Sequence, residues 1–352
     1  MGVDKIISVA NMYFKPDARI SDEEYLRTYN VFRLGDIAFE GNKSKNFAFG
    51  RFVENTIGDG IVSHVFVVFR PLQPDHNLGY WKYAINNENV MGRILARCTK
   101  KTTMMTNLVS DDFLEEEMFC PSNAEQMKIS SFLELLERKI DTQTSLVEHL
   151  KKYKRGVSNT FFNDKVVAEC SAILPFGQVV EINPKTKSLP TEFIYIDLES
   201  VESGKLLQEN IISRDNAPSR AQRVLAKGDV LFQMVRPYQK NNFYFESELS
   251  LSAVASTGYA QIRCVDNDPL FVFEQISSDY FANEAMLRST GTGYPAINAD
   301  SLAEIPFIKH PIEEQRKIGK FLYLLSQRII QEESKLEALL KVKGAMLQSL
   351  FI

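Results

Sequence analysis

The stretch Pro311–Leu322, PIEEQRKIGKFL, opens an apolar heptad pattern, and most of its residues have already appeared once in the chain. The earlier stretch, Pro121–Leu133, reads PSNAEQMKISSFL, so Glu-Gln, Lys-Ile and Phe-Leu recur in the same order 189 positions apart. A shared entrance of this kind indicates two helices that begin alike. The chain is therefore predicted to be an internal repeat of two long halves.

Apolar residues follow each entrance at alternating steps of three and four, which are the a and d positions of a heptad. The pattern predicts two helices of about 35 to 40 residues, roughly 55–60 Å long. Two unrelated amphipathic helices would not be expected to share this register, nor the polar interruptions Gln143 with Glu332 and Lys154 with Lys343. The predicted seam residues are Ile129, Leu133, Leu136, Ile140, Val147 and Leu150 on the first helix, and Ile318, Leu322, Leu325, Ile329, Leu336 and Leu339 on the second.

The helix entrances carry capping signals, and each apolar stripe is wider than a two-helix seam needs. Ser122-x-x-Glu125 matches a capping box, and Pro311 suits a first helical position. We expect part of the stripe to meet the globular domains or another protein. The additional apolar residues are Phe132, Leu135, Leu146 and Tyr153 on the first helix, and Phe321, Leu324 and Leu340 on the second.

The globular parts repeat more weakly. Val31–Phe39 and Val224–Phe232 each place a Gly-Asp turn before an alternating strand, and Gly60–Arg70 resembles Leu251–Arg263. Each copy is predicted to be an α+β domain with a twisted, mostly antiparallel sheet. Residues 166–190 have no counterpart before Asp4, so we expect the first domain to lack about 25 residues at its start and to expose an edge. The predicted domains are 1–120 and 163–310, with helices at 121–162 and 311–352.

Composition excludes several classes of protein. The chain is 44% hydrophobic, contains no run of 18 apolar residues and starts without a signal peptide, so a membrane span is not expected. Four cysteines lie far apart, at Cys98, Cys120, Cys170 and Cys264, which favours reduced thiols in the cytoplasm. The net charge of −4 argues against bulk attraction to nucleic acid but leaves local patches open.

Common catalytic motifs are absent from the sequence. The chain contains no phosphate-binding G-x-x-x-x-G-K-[ST] loop and no G-x-S-x-G elbow. Its four histidines, His64, His76, His149 and His310, are scattered without metal-ligand spacing. We therefore predict no catalytic residue, no metal site and no cofactor on this chain.

Polar and basic loops are the strongest candidates for a binding function. Arg and Lys can contact guanine or phosphate, and Asn or Gln can pair with adenine, so such loops are typical of DNA readers. For any single residue, a solvated surface loop is a more common explanation than a DNA contact. The loops favour DNA binding because they fall at equivalent points of both repeats. The predicted DNA-binding residues are Lys43, Lys45, Asn46, Arg51, Arg97, Lys100 and Lys101 in the first copy, and Arg214, Arg220, Arg223, Arg236, Gln239, Lys240, Asn241, Asn242 and Tyr294 in the second.

Together these features resemble the specificity subunit of a type I restriction–modification system. The resemblance rests on Pro311–Leu322, on the helix that follows it to Phe351, and on the echoes at Glu125-Gln126, Lys128-Ile129 and Phe132-Leu133. It covers nearly the whole chain and is specific in the helices. The chain departs from the family pattern at the shortened start of the first domain.

The resemblance implies a non-catalytic DNA-binding subunit. Each globular domain would be a target recognition domain that reads one half of a split, asymmetric DNA site, with two antiparallel coiled-coil helices separating the domains. Two modification subunits would carry S-adenosylmethionine and methylate adenine, and restriction subunits with ATP and Mg²⁺ could join them.

Two other classes of function remain open on the sequence. A coiled-coil scaffold without a nucleic-acid role would lack salt-sensitive, sequence-selective binding to duplex DNA. A fused methyltransferase or nuclease would need a cofactor loop or metal triad, and neither pattern occurs.

Overall fold

The structure is a computed structural model, and it describes the chain except for residues 16–22, 73–75, 103–104, 164, 167–172, 187, 247–248 and 352. Cys170 and part of the 166–190 segment lie outside the described residues. The chain forms two compact units. The first unit comprises Met1–Thr144 with Ser334–Ile352, and the second unit is Ser145–Glu333.

Two long helices account for most of the helical residues. Each runs for 39 residues, within the predicted range. The helices are α1 (Leu78–Ala84), α2 (Glu88–Cys98), α3 (Ser110–Leu114), α4 (Asn123–Phe161), α5 (Pro269–Ile276), α6 (Asp279–Leu287), α7 (Ala299–Ala303) and α8 (Ile312–Leu350).

The strands are short and mostly antiparallel. In the first unit they are β1 (Ile7–Ser8), β2 (Tyr13–Phe14), β3 (Asn30–Phe32), β4 (Ile37–Glu40), β5 (Arg51–Glu54), β6 (Gly60–Val62), β7 (Val67–Phe69), β8 (Thr99–Lys101) and β9 (Thr106–Leu108). In the second unit they are β10 (Ile173–Pro175), β11 (Val180–Ile182), β12 (Glu192–Ile196), β13 (Val201–Glu202), β14 (Lys205–Leu206), β15 (Ile211–Ser213), β16 (Ala221–Val224), β17 (Val230–Gln233), β18 (Phe243–Tyr244), β19 (Ala253–Ser256), β20 (Tyr259–Cys264) and β21 (Pro306–Ile308).

Both units build their sheets around the strand that follows the Gly-Asp turn. In the first unit β4 pairs with β5 and β7, and in the second unit β17 pairs with β18 and β20. The second unit extends this sheet through β11 on β20 and adds a second sheet of order β15-β12-β19-β16. Within that sheet β12 and β19 run parallel, which the alternating pattern alone did not predict.

The Gly-Asp turn itself has the same conformation in both units. Gly35 and Gly228 adopt φ angles of +84° and +85°, a left-handed conformation that a side chain would disfavour. Asp36 and Asp229 are buried, and each accepts a hydrogen bond of 2.7 Å from the backbone N–H three residues earlier. The repeat seen in the sequence is thus a repeated local structure.

One predicted helix in each copy is in fact a pair of helices. The sequence predicts a helix around 80–97 and another around 277–289, whereas the structure has α1 with α2 and α5 with α6. The break is caused by local capping, because the side chains of Asn87 and Ser278 accept hydrogen bonds from backbone N–H groups of the helix that follows.

In the first unit, the segments of α4 and α8 run antiparallel. Ile129 and Leu133 of α4 lie in the same apolar cluster as Leu350 at the end of α8. Further along α4, Glu137 pairs with Lys343, which comes earlier on α8.

The segments of α4 and α8 in the second unit have the same relationship. Lys151 pairs with Glu333 at 2.7 Å, whereas Phe161, later on α4, packs in the core with Ile318 and Leu322 near the start of α8. All twelve predicted seam residues are buried or half-buried. The predicted α+β class with two sheet-rich domains and long helices packed together is confirmed.

Two of the polar interruptions of the seam, the lysines Lys154 and Lys343, contact residues of the globular domains. Lys154 pairs at 2.9 Å with Glu274 on α5, whose side chain is only 1% exposed. The equivalent Lys343 pairs with Glu137 at 2.7 Å and lies 5.9 Å from the ring centroid of Tyr83 on α1. Lys154 therefore satisfies a buried carboxylate of the globular domain, whereas Lys343 pairs with a carboxylate of the other long helix beside a ring of α1.

The glutamines of the repeated motif form hydrogen bonds that connect the start of each long helix to the segment before it. Gln126 and Gln315 are both buried, and each donates from Nε2 to the carbonyl five residues earlier, at 3.0 and 2.8 Å. Glu125 accepts from the N–H and the hydroxyl of Ser122, at 3.0 and 2.7 Å, as the capping box predicts.

Candidate nucleic-acid interface

Two cationic segments of the first unit come together on one surface. The loop at 41–50 follows β4, and the β8–β9 hairpin lies beside it, because Thr106 N–H donates to Gly41 O at 2.8 Å and Lys43 Nζ to Thr102 O at 3.0 Å. The structure thus joins two segments that are more than 50 residues apart in the chain. The predicted residues Lys43, Lys45, Asn46, Lys100 and Lys101 are all exposed there.

Arg51 and Arg97 are engaged within the first unit. Arg51 donates from Nε to Glu40 Oε2 at 2.7 Å and from Nη2 to a backbone carbonyl at 2.8 Å. Arg97 forms a two-point ion pair with Glu116, and its guanidinium lowers the pKa of that carboxyl. Both arginines are thus paired with carboxylates of the unit, whereas none of the four lysines of this surface pairs with a carboxylate among the described residues. The lysines are therefore better placed to meet a phosphate.

In the second unit, the structure brings two predicted residues into contact. The guanidinium carbon of Arg236 lies 4.2 Å from the ring centroid of Tyr294, and the Tyr294 side chain is 70% exposed. Arg236 N–H donates to Pro295 O at 2.7 Å, which joins the two loops. Arg236 Nε is buried and has no hydrogen-bond partner among the described residues. Stacking on an aromatic face restricts the plane in which a guanidinium can donate to a ligand.

The turn that carries Arg236 is held in one shape by Gln233. Its buried side chain donates to a carbonyl of the turn at 2.7 Å and to Gln239 Oε1 at 2.8 Å, and accepts from Asn241 N–H at 3.1 Å. Arg236 and Lys240 adopt positive φ angles of 55° and 53°, which are uncommon for residues other than glycine. Such conformations persist where the surroundings enforce them, and they cluster at functional sites.

Asn242 and Lys240 fasten this turn to the rest of the unit. The side chain of Asn242 is buried, accepts from Gln233 N–H at 2.9 Å and donates to a carbonyl of α5 at 3.2 Å. Lys240 pairs with Asp279, which also accepts from Arg155 Nε at 2.7 Å. Burial raises the pKa of Asp279, but the two cations outweigh it and lower the pKa. In this structure neither Asn242 nor Lys240 is presented to a base edge.

The remaining predicted arginines lie on or beside the β15-β12-β19-β16 sheet. Arg214 Nε donates a hydrogen bond to the carbonyl of Pro190 at 3.2 Å. Arg220 is exposed. Arg223 is half-buried with an unpartnered Nε, and burial lowers its pKa. Of these three, Arg220 is connected to the start of the Arg236 turn through two adjacent residues, because its carbonyl accepts from Thr257 N–H at 2.9 Å and Gly258 O accepts from Met234 N–H at 3.0 Å.

Sequence reasoning missed two residues of the turn. Gln233 organises it, and Tyr238, 53% exposed, stands at its tip. Gln233 leaves a detectable signal, because it is a polar residue at the end of an otherwise apolar strand. Nothing in the sequence distinguishes Tyr238 from an ordinary surface tyrosine.

Within the part of the chain that the structure describes, no group of three His, Cys, Asp or Glu residues could hold a metal ion. None of the described helices is long and apolar enough to cross a membrane. The described cysteines, Cys98, Cys120 and Cys264, are free thiols.

The known proteins that resemble this chain come from type I restriction–modification systems. No protein-family model matches the chain. The specificity subunit of the type I restriction enzyme HindI from Haemophilus influenzae is 27% identical over 165 residues, which are 45% of this chain and 35% of that protein. The match thus spans about a third of that relative's length.

Solved structures share the fold over most of the chain. The S subunit of a type I restriction–modification system from M. genitalium aligns with a TM-score of 0.56 at 18% identity, over 92% of this chain and 84% of that one. A chain from a structure on complex assembly and conformational transition of a type I system aligns at 0.54 and 16% identity, over 91% and 82%. The predicted resemblance to type I specificity subunits is confirmed, and the chain has their fold.

Proposed function

We propose that this chain, which has the fold of type I restriction–modification specificity subunits and is related in sequence to one of them, is the DNA-recognition subunit of such a system. It reads a bipartite, asymmetric DNA site and directs adenine methylation and restriction by partner subunits. The chain itself is not catalytic. Two similar but unequal units are suited to two unequal half-sites, so the target need not be a palindrome.

One observation carries the proposal. Both units follow the same Gly-Asp strand with a loop that presents polar and cationic side chains, Lys43 and Lys45 in the first and Arg236 in the second. A coiled-coil scaffold would have no need for such a loop at an equivalent point of both units.

We assign two kinds of DNA contact to these loops. Phosphate contacts position a protein on the duplex, and contacts to base edges select the sequence. The flexible lysines of the first unit suit phosphates. The stacked guanidinium of Arg236 has the restricted geometry that bidentate pairing with guanine O6 and N7 requires. The proposed DNA-contacting residues are Lys43, Lys45, Asn46, Lys100, Lys101, Arg220, Arg236, Gln239 and Tyr294.

The exposed faces of α4 and α8 are the proposed docking surface for two modification subunits. Phe132 and Leu135 of α4 correspond to Phe321 and Leu324 of α8, and these four side chains are 45 to 61% exposed. Exposed apolar side chains repeated at one spacing favour two equivalent partner contacts. S-adenosylmethionine, ATP and Mg²⁺ belong to the partner subunits in this proposal, and the complex is cytoplasmic.

Domain boundaries follow from the same proposal. Residues 1–120 and 163–310 are the target recognition domains, and 121–162 and 311–352 are the spacer helices.

Methylation-site mapping with the cognate modification subunit tests the function. The complex should methylate adenine at one split sequence, and the isolated chain should transfer no labelled methyl group. A complex that methylates without sequence preference would support the scaffold alternative, as would a chain whose DNA binding shows neither sequence selectivity nor salt dependence. Methyl transfer by the isolated chain would contradict the non-catalytic assignment.

A further inference from the structure

An apolar groove of about 290 Å³ opens on the first unit. Its walls include Tyr80 and Ala84 of α1, Val90 of α2, and Met118 and Phe119 from the segment before α4. The Phe119 side chain is 81% exposed. An aromatic side chain so open beside an apolar groove is a candidate contact for another chain.

The equivalent place in the second unit is filled. At the helix offset of 189, Met118 and Phe119 correspond to Phe307 and Ile308, and both of the latter are 0% exposed. They lie in β21, which pairs antiparallel with β10 in the register Ile173 to Ile308 and Leu174 to Phe307. In the first unit, residues 117–119 belong to no strand.

An aromatic residue occupies the rest of the position that is equivalent to the groove in the second unit. Phe176 follows β10, is 0% exposed, and donates its N–H to the carbonyl of Ile305 at 2.9 Å. Its ring lies 5.1 Å from that of Phe281 and 5.6 Å from that of Phe307, measured between centroids. Phe281 is the third residue of α6 as Val90 is of α2, so the first unit offers the same two walls with smaller side chains.

We propose that the groove of the first unit binds an extended segment of a separate polypeptide, which pairs antiparallel with residues 117–119 and inserts an aromatic ring between Met118 and Val90. The contact is a β-strand addition, in which backbone hydrogen bonds supply affinity and a side-chain pocket supplies selectivity. The matching pattern, apolar-apolar-Pro-aromatic, stands at residues 173–176, which are already packed within the second unit. The occupant to which we commit is a segment of that pattern on another chain, chosen because the same pattern fills the equivalent place in the second unit. The inference does not depend on the proposed DNA recognition.

A labelled peptide with the sequence of residues 173–182, ILPFGQVVEI, serves as the probe, titrated with the full chain and followed by fluorescence anisotropy. Saturable binding is expected. Replacing the peptide's phenylalanine by alanine removes the inserted ring, and Phe119→Asp places a carboxylate at a position whose counterpart, Ile308, is buried beside the paired strand. Each change should weaken binding at least about tenfold. Hydrogen exchange at residues 117–119 should slow when the peptide is bound.

Leu114→Asp is the matched control, because Leu114 is 68% exposed and does not line the groove. It should bind the peptide within about twofold of the parent chain, since scattered surface apolar residues contribute little. Phe119 is itself exposed, so Phe119→Asp should keep the parent circular dichroism. No saturable binding, or equal binding by the Phe119 variant, would overturn the proposal. So would a chain dimer that excludes the peptide and that Phe119→Asp converts to monomer, because the occupant would then be a second copy.

Discussion

Asp229 and Arg263 form a two-point ion pair, in which Nε lies 2.9 Å from Oδ1 and Nη2 lies 2.7 Å from Oδ2. Asp36 and Arg70 repeat this pair in the first unit at 2.8 and 2.7 Å, with the same 34-residue separation. In both units the aspartate directly precedes a strand, and the arginine lies in or directly after the strand that pairs with it, β20 for Arg263 and β7 for Arg70. The pair ties the Gly-Asp turn to the sheet and so fixes where the loop after that strand emerges.

Arg263→Met should destabilise the second unit. The carboxylate of Asp229 is 1% exposed, and loss of its cation leaves a buried charge, at a cost of roughly 2–3 kcal/mol because the guanidinium itself is partly exposed. Hydrogen exchange at β17 and β20 measures this loss. Arg316→Met, which breaks an exposed pair with Glu313, is the control and should be neutral.

The two entrance glutamines should differ in their contributions. Gln315 bonds to Asn267 Oδ1 at 3.0 Å and accepts from Asp268 N–H at 2.9 Å, whereas Gln126 Oε1 is buried without a hydrogen-bond partner among the described residues. Gln315→Ala should therefore cost about 2–3 kcal/mol, and Gln126→Ala about 1 kcal/mol or less. Urea unfolding with hydrogen exchange in each unit makes the comparison, and equal costs would show that these additional bonds do not contribute.

Substitutions at two adjacent leucines on α4 should distinguish an effect on folding from an effect on assembly with the modification subunit. Leu136 is 9% exposed and Leu135 is 61% exposed. Leu136→Asp buries an unpaired carboxylate and should lower the melting temperature by several degrees, a loss of roughly 3 kcal/mol or more. Leu135→Asp should leave the melting temperature unchanged and weaken binding of the modification subunit. Normal assembly by the Leu135 variant would remove that residue from the proposed docking surface.

Stability of the first unit should depend on Glu137 in a defined pH window. Burial opposes ionisation, but Lys343 and Lys82 lie 2.7 and 2.8 Å away and, with neighbouring groups, lower the pKa of Glu137 from 4.5 to about 2. A carboxyl with a lowered folded pKa stabilises fully above its unfolded pKa and loses that contribution as pH falls toward the folded one. Glu137→Gln should therefore lower the melting temperature at pH 7 and converge with the parent chain as the pH falls toward 2.

Trp81 fluorescence reports this difference because it lies in the same unit. The control, Glu134→Gln, removes an exposed carboxylate 3.8 Å from Arg138 and should shift the melting temperature little at any pH. If the difference in melting temperature between the parent chain and Glu137→Gln grew as the pH fell, the ionised form of Glu137 would not be the stabilising one.

Arg236 should select one base of the target. In the assembled complex, Arg236→Ala should weaken binding to the cognate site by about 10- to 100-fold, as loss of a bidentate base contact does. Arg236→Lys keeps the charge but loses the planar fork, so it should retain affinity for non-specific DNA while methylation mapping shows relaxed preference at one position. Unchanged site selection by both variants would place the reading residue elsewhere in the second unit.

Periodicity and local turn chemistry made the helices and the repeat predictable. A 3.5-residue apolar period can be read without any partner, and Gly-Asp at equal offsets requires only local backbone geometry. The loop residues were less predictable. Lys240 and Asn242 read as exposed polar groups, yet both hold the turn from within, because their partners Asp279 and Ile276 are more than 30 residues away in the chain.

By itself, the sequence determined that two similar units exist, that each is α+β, and that long amphipathic helices begin at Asn123 and Ile312 within a residue of their signals. Only the tertiary structure decided which polar side chains remain available, which interruptions of the seam reach the globular domains, and where an apolar groove stays open. The reason is physical: burial and pairing are properties of residues distant in the chain, and a side chain's type does not reveal whether a partner will reach it.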